Sequence, residues 1–260
     1  MTQVDRGEHG DRAESAPCGA KFKIQDGARR CYHYEMKSLN AKALAGLLAL
    51  LAVMAALLFL PAGTFDYWQA WAFLAVFFLP SLAITVYLMK NDPRLLERRL
   101  QGGPTAEKEP RQKIIQTFTS IMFIAMLVVS ALDHRFGWSH VPPYVAITGD
   151  VLVALGFLII FFVYKENTFA SATIELAPEQ KVISTGLYAR VRHPMYMGGL
   201  FLFGSMPLAL GSWWGLFVFL LFMPALIWRL LDEERFLERN LPGYVEYRNK
   251  VKARLVPYVW

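Results

Sequence analysis

The sequence predicts an all-α membrane protein, a polytopic bundle of about five to six transmembrane helices that ends in a helical hairpin. Of the 260 residues, 55% are hydrophobic, which is too apolar for an ordinary soluble domain of this length. The apolar residues are concentrated in runs of roughly 20 residues, the length that an α-helix needs to cross a bilayer. The chain is therefore expected to be a multi-pass integral membrane protein.

Residues 1–37 form the first of three predicted regions. Up to about residue 35 this segment is polar, mixed in charge and without an apolar period, so we expect a disordered cytosolic tail. Its cysteines, Cys18 and Cys31, are expected to be free thiols, because two cysteines in a cytosolic segment support neither a disulfide framework nor a metal site.

Residues 38–164 form the second region, the N-terminal transmembrane helices. Its apolar runs predict helices over about 41–60, 67–89, 114–132 and 144–164. After the second run, the stretch DPRLLERRLQ at 92–101 predicts a short helix at the membrane surface. Leu95, Leu96 and Leu100 of this helix are expected to face lipid, and its arginines are expected to face phosphates.

Residues 165–260 form the third region, which is expected to be the catalytic part, with a cofactor loop, the hairpin and a cytosolic tail. After the polar stretch 165–193, an apolar segment interrupted by a proline and a Gly-Ser-Trp-Trp turn predicts two helices over about 195–210 and 213–231. Each is short or contains proline, so the number of crossings is predicted as five or six.

Basic residues predict the orientation in the membrane. The connection between the second and third apolar runs carries Lys90, Arg94, Arg98, Arg99, Lys108, Arg111 and Lys113. The positive-inside rule therefore places this connection, the stretch 165–193 and both termini in the cytosol. We expect a bacterial inner membrane rather than the endoplasmic reticulum. Anionic lipid head groups account for the net charge of +6, and no nucleic-acid partner is expected.

Two clusters of polar and aromatic residues bracket the apolar hairpin. The first is GLYARVRHPMYMGG at 186–199, and the second is RLLDEERFLER at 229–239. Pro194 suits the first position of a helix, which places Arg192 and His193 at the positive end of that helix, where an anion or a carboxylate is favoured. Because charged groups beside a span must face a membrane surface or a protein pocket, these clusters form the candidate active site.

These clusters make the chain from about residue 180 to its end resemble the isoprenylcysteine carboxyl methyltransferase and phospholipid methyltransferase superfamily of integral-membrane enzymes. The resemblance is carried by Gly186, Tyr188, the Arg192-His193-Pro194-x-Tyr196-x-Gly198 run, the Glu233-Glu234 pair and Gly243-Tyr244-x-x-Tyr247. It implies an S-adenosylmethionine-dependent methyltransferase for a lipid-like or prenylated substrate, most similar to the isoprenylcysteine carboxyl methyltransferases.

The resemblance also implies which residues form the site. No GxGxxG motif follows a predicted strand, so the cofactor pocket must be built from helices and loops. The residues implied to line it are Gln180, Lys181, Val182, Ile183, Tyr188, His193, Pro194, Met195, Tyr196, Gly198 and Glu233. Arg229, and after it Arg192, would orient a carboxylate nucleophile. An amine nucleophile would instead need a base, which His193 or Glu234 could provide.

These assignments have structural alternatives. Arg229 and Glu233 lie one helical turn apart and could simply form an ion pair. His193 could cap a helix without binding a ligand. Tyr188 and Tyr196 could be aromatic residues at the membrane interface.

Two other functions compete with the methyltransferase. The Arg-His-Pro-x-Tyr-x-Gly run and the ending Arg254-Leu255-Val256-Pro257-Tyr258 also resemble membrane sterol or enone reductases that use NADPH. Met195 and Gly199 depart from the pattern of those reductases, which favours the methyltransferase. The third alternative is a non-enzymatic membrane scaffold or transporter subunit.

Overall fold

The computed structural model of the chain is helical. It describes the backbone of residues 24–103, 105–107, 109–174, 176–177, 179–257 and 260, with side chains from residue 36 onward. The described residues form α1 (Ile24–Ala62), α2 (Trp68–Asn91), α3 (Pro93–Leu100), α4 (Pro110–Phe136), α5 (Pro143–Glu166), a 3₁₀ turn (Gly186–Ala189), α6 (Pro194–Ala209), α7 (Trp213–Asn240) and α8 (Tyr244–Lys250). The chain divides into two compact units, Met1–Ala41 and Lys42–Trp260.

Five helices in the described part of the chain are long and apolar enough to cross a membrane. They are α1 from Met36 onward, α2, α4, α5 and α7. Their bounds follow the predicted apolar runs closely, which confirms the polytopic helical bundle. Helix α6 has 16 residues, or about 24 Å at 1.5 Å per residue, and is shorter than the roughly 30 Å of a bilayer core. The C-terminal hairpin therefore contains one full-length span.

Helix α1 begins at Ile24, well before the first apolar run. The prediction of a disordered tail therefore does not hold for residues 24–35. These residues include alanine and arginine, which are good helix formers, and they extend a helix that the apolar run has already nucleated. Residues 1–23, with Cys18, lie outside the described residues, as does the side chain of Cys31.

Helix α3 packs on the protein rather than on lipid. Leu95 and Leu96 are buried, so the prediction that they face lipid is wrong, and only Leu100 is exposed. The last two arginines of α3 donate hydrogen bonds to backbone carbonyl groups of the segment 167–173, at 2.6 and 3.0 Å. The apolar side of this amphipathic helix is thus covered by the protein itself, and its basic side holds a loop.

Helices α5 and α6 approach each other closely at glycines. A Cβ atom on Gly156 would lie 2.8 Å from the carbonyl oxygen of Gly198, and one on Gly198 would lie 2.8 Å from Ile160 Cγ1. Small residues at such positions let two helix backbones come into contact. Gly198 is therefore required for packing, whereas the resemblance had implied a place in the cofactor pocket.

The C-terminal tail covers the start of α6. Gly243, with φ of +83°, reverses the chain after α7 and begins α8. The tail then runs beside residues 192 and 193, whose backbone amides donate to the carbonyl oxygens of Ala253 at 3.0 Å and Arg254 at 2.9 Å. These contacts fix the first polar cluster against the end of the chain.

Candidate active site

A cavity of about 410 Å³ lies at one end of the helix bundle. Because α5, α6 and α7 alternate in direction, the C-terminal ends of α5 and α7 meet the N-terminal end of α6 there. The segment 167–183 and α8 complete the wall. One part of the wall is apolar and consists of Ile160, Leu202, Phe203, Phe222 and Leu226. The remainder is polar and aromatic, so the cavity suits an amphiphilic ligand or two ligands side by side.

Nearly all the residues implied to bind the cofactor line this one cavity. They are Gln180, Lys181, Val182, Ile183, Tyr188, His193, Pro194, Met195, Tyr196 and Glu233. Gly198 is not among the lining residues, and its neighbour Gly199 is. The structure therefore brings the segment 180–196 together with Glu233 of α7, and the role of these residues in binding stays a prediction.

Glu233 and Tyr196 form a polar pair on the cavity wall. The Tyr196 hydroxyl donates a hydrogen bond to Glu233 Oε2 at 2.5 Å, which joins the start of α6 to α7. The Glu233 side chain is half-buried. The alternative ion pair between Arg229 and Glu233 is not formed by the described side chains, because Arg229 turns to other acceptors.

Arg229 lines the cavity and directs its guanidinium toward the loop between α3 and α4. Its Nη2 donates to Glu107 Oε1 at 2.8 Å and to the Ala172 carbonyl at 3.1 Å, and its Nη1 donates to Gln112 Oε1 at 2.9 Å. The exposed fractions of the Arg229 and Glu107 side chains are 13% and 2%. The first candidate for holding an acceptor carboxylate thus already has a carboxylate partner within the protein.

Glu234 is the centre of a second buried cluster, behind the cavity wall. Its Oε1 accepts from Arg192 Nε at 2.7 Å, and its Oε2 accepts from Arg254 Nε at 2.8 Å. Arg192 also donates through Nη1 to two backbone carbonyls of the tail, both at 2.8 Å. Arg192 lines the cavity, whereas Glu234 is not among the lining residues. These contacts indicate that both side chains, predicted as catalytic candidates, fix the C-terminal tail.

Tyrosines form much of the polar wall. Burial raises the pKa of Tyr188 to about 12, despite the opposing effect of the hydrogen bond that its oxygen accepts from Asn167 Nδ2 at 2.9 Å. Tyr247 donates to the Tyr188 carbonyl at 2.8 Å. Burial also raises the pKa of Tyr244 well above its ordinary value. These tyrosines therefore stay neutral at physiological pH.

The structure adds residues that sequence reasoning missed. Asn167 and the segment 169–174 line the cavity, as do Arg99 and the α8 tyrosines. The polar character of 165–193 was the signal that could have pointed to Asn167 and this segment. The α8 tyrosines belonged to the resemblance but were not assigned to the site. Nothing in the local sequence marks Glu107 as the partner of Arg229.

Two polar atoms in the cavity wall lack a hydrogen-bond partner among the described residues. They are Tyr244 Oη and His193 Nε2, and both are buried. His193 Nε2 lies 3.3 Å from Glu234 Oε1, but the geometry is not that of a hydrogen bond. Leaving a buried polar group unpaired costs about 1–3 kcal/mol. Both atoms are shielded by surrounding protein atoms, and His193 Nε2 faces the Glu234 carboxylate rather than the cavity. The Glu233 carboxylate and the aromatic wall suit a ligand that carries a positive charge.

The fold and the cavity define a multi-pass helical membrane protein with a small-molecule site at one end of its bundle. Residues 144–242, which include α5, α6 and α7, match the family model of the phospholipid methyltransferases. This segment is therefore identified with the phospholipid methyltransferase domain of the isoprenylcysteine carboxyl methyltransferase and phospholipid methyltransferase superfamily, a class of integral-membrane methyltransferases.

The chain is also similar to a curated protein, the Delta(14)-sterol reductase TM7SF2 of Mus musculus. The two are 33% identical over 91 residues, which is 34% of this chain and 22% of the reductase. The chain thus spans about a fifth of the length of this relative. The similarity involves a short stretch only, and the family match supports a membrane methyltransferase.

Proposed function

We propose that this protein is an S-adenosylmethionine-dependent methyltransferase that acts on a lipid-like or prenylated acceptor at a membrane. The observation that carries the proposal is the cavity, because nearly all the residues implied to bind the cofactor meet there. The family match of residues 144–242 supports the class of reaction.

S-adenosylmethionine supplies an electrophilic methyl group on a positively charged sulfonium. The Glu233 carboxylate would balance that positive charge, and the rings of Tyr188, Tyr196 and Tyr244 would add cation–π attraction. The segment 180–183 would cover the cofactor from the loop side.

The acceptor would occupy the apolar part of the cavity. The side chains of α5, α6 and α7 there suit a hydrocarbon or prenyl chain, with the reacting group directed toward the polar part. Methyl transfer needs in-line alignment and removal of water, and alignment alone contributes several kcal/mol to lowering the barrier. Within this class the resemblance implies an acceptor like the prenylated chain of the isoprenylcysteine carboxyl methyltransferases, with membrane lipids surrounding its entry. The resemblance leaves the reacting group open as a carboxylate, an amine or a thiol.

The distribution of basic residues supports a cytosolic position for the site. The connection between α2 and α4, which is rich in lysine and arginine, lies at the same end of the bundle as the cavity. A soluble cofactor would therefore enter from the cytosol, in a bacterial inner membrane, while the acceptor enters from the bilayer.

The reductase is the second candidate function. The similar mouse protein is a sterol reductase, and this similarity over a short stretch supports the second candidate. NADPH would then occupy the cavity, and the same Arg-His-Pro run would contact it. Met195 and Gly199 remain departures from the reductase pattern. A non-enzymatic scaffold would bind neither cofactor.

Calorimetric titration of the detergent-purified protein decides between these functions. S-adenosylhomocysteine and NADPH are titrated in parallel, and we expect saturable binding of the first alone. Binding of NADPH alone would favour the reductase function. Binding of neither would favour the scaffold.

A further inference from the structure

We propose that Glu107 determines which acceptors the enzyme takes, by neutralising Arg229 and thereby excluding acceptors that carry a carboxylate. The inference rests on the proposed function and narrows the chemical class of the methyl acceptor. Glu107 lies on the loop between α3 and α4, outside the segment that matches the family model. The acceptor would then react through an uncharged or cationic group, a thiol or an amine.

The first argument is the burial of the Glu107–Arg229 pair. Glu107 is almost fully inaccessible and is not among the residues that line the cavity, so it contacts Arg229 from behind the wall. Its Oε1 also lies 3.4 Å from Gln116 Nε2, and Gln112 links Arg229 to Asp232. Neighbours on α4 and α7 thus hold both charges in place, and removing either partner would leave a buried charge uncompensated.

The second argument is the state of the other cations on the cavity wall. Arg192 donates to Glu234 and to two backbone carbonyls of the tail, so its Nε and Nη1 donors are occupied. Arg99 donates to the Ser171 carbonyl and lies 5.3 Å from the centre of the Tyr164 ring, and Lys181 is exposed to solvent. Among the described lining residues, none of these cations offers an acceptor carboxylate a buried partner without a competing contact.

The third argument is the negative charge that already surrounds Arg229. Glu233 lies one helical turn from Arg229 on the cavity wall, and Glu107 lies behind it. An acceptor carboxylate at Arg229 would add a third negative charge to one positive charge. Like charges brought together in a desolvated site disfavour binding strongly, so we expect a loss of at least about tenfold in affinity.

The test uses amphiphiles that differ only in charge. Wild-type protein in detergent is titrated with N-acetyl-S-farnesylcysteine, which carries a carboxylate, and with its carboxamide. Hexadecanoate and hexadecanamide form a second pair. The measurement needs no cofactor, so it reads acceptor binding and not turnover. We expect the wild type to bind at least one carboxamide about tenfold or more tightly than the matching carboxylate.

Two variants assign the discrimination to Glu107. Glu107→Gln should abolish or reverse the preference, because Arg229 is then free to pair with a ligand carboxylate. Glu109→Gln changes an exposed glutamate of the same loop and should keep the wild-type ratio of carboxamide affinity to carboxylate affinity. If Glu107→Gln does not fold, the triple variant Glu107→Gln, Arg229→Gln, Glu233→Gln removes all three charges together and should bind the two members of a pair about equally.

Three results would overturn the inference. They are a wild type that binds the carboxylate as tightly as the carboxamide, a wild type that binds neither carboxamide, and a preference that persists in the folded variants of Glu107. Failure of the proposed function is distinguishable from all three, because it appears as absent binding of S-adenosylhomocysteine in the separate titration.

Discussion

Glu234→Gln tests whether the second acidic residue of the Glu233-Glu234 pair acts in structure or in chemistry. The substitution keeps the shape and one carbonyl oxygen but removes the negative charge that faces Arg192, Arg254 and His193. If Glu234 holds the tail, the protein loses stability. If Glu234 is the base that the sequence suggested, turnover falls and stability does not.

The structure gives the size of the expected effect. The side chains of Glu234 and Arg192 are each 5% exposed, so the variant leaves a buried guanidinium without its counter-charge. Removing one partner of a buried pair costs about 3–5 kcal/mol. Arg254 is 32% exposed and can be hydrated, which favours the lower end. For a chain of this size, about 3 kcal/mol lowers Tm by roughly 6–12 °C.

The assay is thermal unfolding of the detergent-purified protein, with and without S-adenosylhomocysteine. Glu238→Gln is the matched control, because Glu238 lies on α7 like Glu234 and also pairs with an arginine, Arg248 of α8. The side chains of Glu238 and Arg248 are 30% and 41% exposed, so this pair is not buried. Exposed pairs contribute about 0–1 kcal/mol, so this control should change Tm by a few degrees at most. A Glu234→Gln protein with the Tm of the control and greatly reduced turnover would refute the structural role.

Further changes test the cavity, the helix contact and the tyrosines. Glu233→Gln should weaken S-adenosylhomocysteine binding about tenfold or more in calorimetry with little change in Tm, and Glu246→Gln, an exposed control, should change neither. Gly198→Ala should lower Tm by the equivalent of about 1–3 kcal/mol, because its Cβ would clash with α5, whereas Gly199→Ala, with 3.8 Å to the nearest atom, should not. The pKa of Tyr188 is about 12 in the folded protein and has its ordinary value of 10.0 in the unfolded chain, so the unfolded chain loses this proton first. The free energy of unfolding should therefore fall as pH rises from 10.0 to about 12, and it should fall less in Tyr188→Phe. An unchanged affinity of Glu233→Gln for S-adenosylhomocysteine would contradict the first expectation. Equal Tm values of Gly198→Ala and Gly199→Ala would contradict the second, and parallel stability profiles of the wild type and Tyr188→Phe against pH would contradict the third.

The helices of the bundle could be predicted from the sequence because each crossing needs its own apolar run. The bounds of α2, α4 and α5 agree with the predicted runs, and Pro110, Pro143 and Pro194 each stand at the first position of a helix, where the missing amide costs nothing. About a third of the residues that line the cavity were also predictable, since they belong to two short clusters with a recognisable sequence motif.

Contacts between distant segments could not be predicted. Glu107 and Arg229 are far apart in the sequence, and a single glutamate in a charged loop carries no local sign of burial. The same applies to Leu95 and Leu96, because an amphipathic helix fits a lipid surface and a protein surface equally well. Only the packing of α3 on the bundle decides between the two.

The adjacent glutamates of α7 have opposite surroundings because successive helical residues point about 100° apart. Glu233 faces the cavity, is half-buried and, among the described residues, has only the Tyr196 hydroxyl as a hydrogen-bond donor to its side chain. Glu234 faces the tail, and both of its oxygens accept from arginines. A carboxylate with spare acceptor capacity beside a cavity can bind a ligand cation, whereas one that is fully paired and buried stabilises the fold. Substitution of Glu233 should therefore weaken ligand binding more than it lowers Tm, and substitution of Glu234 should do the opposite.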